Sequence, residues 1–181
     1  MGLLEILGWG RDQAEPADVR ASDVLRKITR TLNELEPERA RYVAAFAYLL
    51  GRVAHADLSV SDRETAEMER IVEKVADLPE EQAILVVQIA KSQNTLFGGT
   101  DDFSISQEFN RLADRDQKLR LLECLFAVSS SDKSISTVED NEIRKISREL
   151  RLDHADFIAA RSSYREHLGV LKPPAEEPPE G

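Results

Sequence analysis

A chain of 181 residues with 41% apolar side chains is long enough for one domain with its own core and leaves little over beyond an arm or a tail. With 34 acidic side chains against 24 basic ones, its formal net charge is −10. That balance lacks the basic footprint a phosphate backbone requires, so it argues against nucleic acid and for cations or a basic protein surface.

The opening MGLLEILGWG has neither the basic flank nor the long apolar run of a secretory signal, and Ile6 breaks the myristoylation pattern. It reads as an apolar arm in which Leu3, Leu4, Ile6, Leu7 and Trp9 dock on the body, an unknown protein partner or a second copy; residues 1–9 allow at most a weak membrane-surface contact. Residues 10–18 read as a linker. The helical spacing of Val24, Leu25, Ile28, Leu32 and Leu35 predicts a first helix, with Ser22 or Asp23 near its start. Pro37 suits the first turn of the next, where its missing N–H costs nothing. The near-uniform apolar middle of that helix, with Val43, Phe46, Ala47, Leu50, Val53 and Ala54, predicts a central position.

A third helix is expected from Ser61 to Ala76, and a fourth from Pro79 to about Asn94. LFGGTDD breaks the pattern. Further helices are expected from Ser104 or Ser106 to Leu112, from about Asp114 through Val128, up to Leu150, and from about Asp153 to His167. KPPAEEPPEG cannot bury anything and reads as a disordered tail. No stretch alternates like a strand, and none is long and apolar enough to cross a bilayer. The expected fold is therefore all-α: a compact bundle of about seven or eight helices at 19–170, between an N-terminal arm and linker at 1–18 and a tail at 171–181. The lone cysteine, Cys124, sits in the apolar run LLECLFAV and reads as a core residue of a cytoplasmic, reducing compartment.

An internal repeat appears at an offset of 75 positions. Phe46, Leu50 and Val53 fall on Leu121, Leu125 and Val128; Asp57, Ser59, Val60 and Ser61 fall on Asp132, Ser134, Ile135 and Ser136. Glu64 and Glu67 meet Glu139 and Glu142, and Met68, Ile71 and Val75 meet Ile143, Ile146 and Leu150. Two units, about 39–94 and 114–168, are expected to pack around a pseudo-twofold axis.

The shared pattern D-x-S-[VI]-S-x-x-E-x-x-E supports two readings. Ser61-x-x-Glu64 and Ser136-x-x-Glu139 are capping boxes, and Asp57 and Asp132 suit turn bonds to backbone amides. The remaining acids stand at the mouth of an apolar stripe and need positive partners, either arginines or a cation. Oxygen donors alone suit a hard ion such as Ca²⁺, Mg²⁺ or Mn²⁺, which makes Asp57, Glu64, Glu67, Asp132, Glu139 and Glu142 candidate metal ligands. An EF-hand does not fit, because the sixth loop position is Asp62 and the twelfth Met68. His55, His154 and His167 are scattered, and no Walker loop, nucleophile elbow or H-E-x-x-H is present.

The stretch AYLLGRVAHADLSVSDRETAEMERI resembles the TerB-like domain, which occurs in tellurite-resistance protein B and at the head of the DnaJ-like co-chaperone DjlA. That family's signature is a helix ending in A-D-G-x-[IV]-s-x-x-E followed by an amphipathic helix. Ala56, Asp57, Val60, Ser61 and Glu64 match it, as do Asp132, Ile135, Ser136 and Glu139; the likeness covers roughly Arg39 to Leu168. Where the family has glycine after the aspartate, this chain has Leu58 and Lys133, so a loop requiring a positive φ there would be strained. The resemblance implies an all-α domain with internal pseudo-symmetry, acidic clusters proposed to bind metal, and a link to stress response or tellurite resistance. The functional expectation is a non-enzymatic binding or scaffold module open to a divalent cation. The alternatives are a ligand-free protein–protein adaptor of co-chaperone type and a metal-dependent hydrolase using the same carboxylates.

Overall fold

A computed structural model of the chain describes residues 19–54, 61–92 and 102–169. The expected arm, linker and tail lie outside those residues, as do the loop holding His55 and Asp57 and the LFGGTDD break up to residue 101. Among the described residues there are eight α-helices and a closing 3-10 turn: α1 Val19–Asn33, α2 Pro37–Ala54, α3 Asp62–Ala76, α4 Glu80–Lys91, α5 Asp102–Leu112, α6 Arg115–Ser129, α7 Thr137–Glu149, α8 His154–Ser162 and Arg165–His167. The all-α expectation holds; the described β pairing is one isolated parallel bridge between Ile135 and Leu168.

The central helix is α2. Twelve of its eighteen residues are buried, and it packs against α4, α5, α6 and α7. The second apolar helix, α6, packs on α2 and carries α3 on its other side. Phe109 of α5 fills the gap beside α2, stacked on Tyr42 at 5.4 Å and edge-on to Phe46 at 6.2 Å. Burying a large aromatic ring of this kind is worth about 2–3 kcal/mol. Cys124 is fully buried in α6, and desolvation pushes its thiol up to about 12.

Two helices start earlier than their spacing suggests. α1 begins at Val19, three residues before Ser22, which lies in its first turns, and α5 begins at Asp102. The last helix is shorter than expected. It stops at Ser162, and Tyr164 then stacks on Phe126 at 5.8 Å. The chain must turn there so that Leu168 can enter the core beside Ile135; both are at most 1% exposed.

Helix bounds recur at the 75-residue offset: α3 corresponds to α7, and the ends of α2 and α6 coincide. Among the described residues, the aligned apolar positions are buried in both units, except that Ile71 and Val75 are half-buried where Ile146 and Leu150 are fully buried.

Candidate functional site

Both capping boxes form. The Ser61 hydroxyl accepts from the Glu64 amide at 3.3 Å, and Glu64 Oε2 accepts from the Ser61 amide at 2.7 Å. In the second unit, the Ser136 hydroxyl accepts from the Glu139 amide at 3.2 Å, and Glu139 Oε2 accepts from the Ser136 amide at 2.8 Å. The cap draws Glu64 back to the helix end, where it stands fully exposed instead of turning into the bundle. The hydrogen bonds from Ser61 hold its carboxyl below the usual glutamate range. Asp132 Oδ1 accepts from the Ser134 amide at 2.8 Å, a turn bond that shapes the second loop. Lys133 has φ 64, so the position where the family carries glycine does take a left-handed backbone. The loop is closed from the other side: the Ile135 amide donates to His167 O at 2.6 Å, and the Gly169 amide donates to Ile135 O at 2.8 Å.

The third acid of the motif behaves differently in the two units. Glu67 is 41% exposed and pairs with Arg70 on its own helix. Glu142 is 27% exposed and faces Arg52 of α2, whose side chain is 4% exposed. Arg52 Nε donates to Glu142 Oε1 at 2.8 Å, and its Nη1 donates to Glu149 Oε2 at 2.7 Å. Ser106 of α5 donates to the same Glu149 oxygen at 2.6 Å. Asp102 Oδ2 lies 3.8 Å from Arg52 Nε, and its Oδ1 accepts from the Tyr48 hydroxyl at 2.7 Å. Lys145 Nζ closes the rim at 3.7 Å from Asp102 and 3.9 Å from Glu149.

Three carboxylates and two cations from α2, α5 and α7 thus form one network. Burial alone would lower the pKa of Arg52, but its bonds to Glu149 and Glu142 outweigh that and hold it above its ordinary value. The position matching Arg52 in the second unit is Ala127, so the first unit's acids have no corresponding guanidinium.

The six candidate ligands are therefore not gathered into one site. Asp57 lies outside the described residues. Glu64 and Glu139 serve as caps, Asp132 holds a turn, Glu67 pairs within α3, and Glu142 joins the Arg52 network. Among the described residues, no three His, Cys, Asp or Glu side chains are placed to hold a metal ion.

The motif did not point to Arg52, Asp102, Ser106 or Glu149. The signal lay elsewhere: Arg52 is the lone charge in YVAAFAYLLGRVA, and an arginine on so apolar a helix must find buried acids. Glu142 and Glu149 are seven residues apart, two turns along one face.

An all-α module with paired Ser-x-x-Glu helix entries and an ion network between its units is the class these features define. A family model described as tellurite resistance protein TerB matches residues 42–162. The chain belongs to the TerB family. Comparison with curated proteins and with solved structures yields no match in either set.

Proposed function

We propose that this chain is a non-enzymatic binding or scaffold module of the TerB family. The observation that supports this reading most is the Arg52 network. Glu142, a half-buried acid of the repeated motif, is neutralised by the chain's own guanidinium, so it holds helices together instead of standing ready as a base or metal ligand. A hydrolase would need that carboxylate free. The partner is an unidentified protein or a second copy, and the net charge of −10 favours a basic partner surface.

A divalent-cation role is a second reading, favoured by the difference between the units. At the second entry, Glu142 already meets a guanidinium that supplies positive charge, while Glu139 caps the helix and Asp132 holds the turn. At the first, Ala127 stands where an arginine would match Arg52, so a Ca²⁺, Mg²⁺ or Mn²⁺ ion would have to draw Glu67 from Arg70 to join Glu64 and Asp57. Calorimetric titration of chelator-treated protein with each ion, read together with the melting temperature, tests this. The second reading expects heat that Glu67→Gln removes and Asp132→Asn leaves intact. Silence for every ion leaves the ligand-free adaptor.

A further inference from the structure

We propose that one edge of α7 is a docking surface for the acidic C-terminal segment of this same chain, residues 171–181. Asp140, Arg144 and Arg148 follow one another at four-residue spacing along that edge. Asp140 is already taken: Arg161 of α8 donates to both its oxygens, at 2.8 and 2.9 Å. Arg144 rests on α8 with its guanidinium carbon 5.2 Å from the centre of the Phe157 ring, and its buried Nε has no hydrogen-bond partner among the described residues. Neither Arg144 nor Arg148 meets a carboxylate among those residues. In a chain of net charge −10, two neighbouring guanidiniums with no carboxylate among the described residues are a local exception. The edge is also peculiar to the second unit, since the matching positions in the first are Glu69 and Glu73.

Geometry and charge order select the occupant. The bridge between Ile135 and Leu168 is parallel, so the chain reaches Gly169 running in the direction that residues 135 and 136 take into α7. Arg144 lies eight residues past Ser136 and Arg148 twelve, or about 12 and 18 Å along the helix. Glu176 lies seven residues past Gly169, and a proline-rich extended segment of that length reaches about 22 Å. In chain order Lys172 comes first and Glu176, Glu177 and Glu180 follow, so a segment less than fully extended is long enough to bring Glu176 and Glu177 to the arginines, with Glu180 beyond them. Tethering replaces a bimolecular encounter with an intramolecular one, which offsets the weakness of exposed ion pairs. The segment then acts as an internal competitor for any acidic partner helix that seeks the same guanidiniums.

The test is paramagnetic broadening in the full chain with a nitroxide on Gly181→Cys; Cys124 is fully buried and takes no label. Broadening centred on the amides of residues 144–148 and on α8 is expected. It should be lost in Glu176→Lys/Glu177→Lys, whose changes lie outside the helical body and leave folding intact. It should be lost likewise in Arg144→Glu/Arg148→Glu and regained when the two pairs are combined. Broadening confined to the start of α7 in all four proteins would overturn the proposal. So would broadening passed from labelled to unlabelled copies in an isotope mixture, because the edge would then take another molecule's segment.

Discussion

Arg52 shows how one side chain can replace what a motif leaves missing. A buried carboxylate costs several kcal/mol unless something positive stands beside it, and Glu142 and Glu149 share one guanidinium that is itself bonded on both flanks. The second loop carries a different residue-scale cost. Lys133 at φ 64 holds a conformation that an L side chain resists by about 1–2 kcal/mol. Lys133→Gly should therefore raise stability by about 0.5–1 kcal/mol in denaturant unfolding, after glycine's own entropy is subtracted. Glu64 gives a pH prediction. Its folded pKa is depressed by the Ser61 bonds, so what it contributes to stability is present above its unfolded pKa of 4.5 and lost as pH falls through the folded value. A carboxyl-detected titration should place Glu64 below 4.5, and Ser61→Ala should return it toward that value. Burial raises Cys124 in the opposite sense, so its contribution is complete below its ordinary pKa of 9.0 and fades as pH climbs toward about 12. A thiol reagent at neutral pH should leave native protein unmodified and react fully once the chain unfolds.

At the scale of elements, what the sequence reveals and what it hides divide along physical lines. Ser61, Ser136 and Asp114 were recognisable as helix starts because a cap is a local bond between residues three apart, and all three form reciprocal boxes. Removing the hydroxyl in Ser61→Ala or Ser136→Ala should cost about 1 kcal/mol each in equilibrium unfolding. The end of α8 was not legible, because it is set by Leu168 reaching Ile135 across more than thirty residues of sequence rather than by any breaker at Ser162. The clasp is tight: a side-chain carbon on Gly169 would sit 3.1 Å from Ile135 O. The candidate acids followed the same division. Their caps and turn could be read directly, whereas the pairing of Glu142 with an arginine ninety positions earlier could not.

For the molecule as a whole, the two halves of the sequence repeat enter α3 and α7 through the same cap but differ in charge at matched positions. Arg52 faces the second unit's acids while Ala127 holds the matching place, and Arg144 and Arg148 answer to Glu69 and Glu73. Matching positions thus carry different charges: Glu142 is tied to an arginine of another helix, whereas Glu67 pairs only within its own. That asymmetry fits a binding module better than a symmetric catalytic dyad. Equilibrium unfolding of Arg52→Met beside the natural chain tests the claim most directly, because methionine keeps an apolar stem and removes the guanidinium with its charge and hydrogen bonds. The account predicts a loss of about 3–5 kcal/mol, or a melting point lower by roughly 6–20 °C, as Glu142, Glu149 and Asp102 are left facing one another. An unchanged midpoint would contradict it, since the network would then contribute nothing to holding the three helices together.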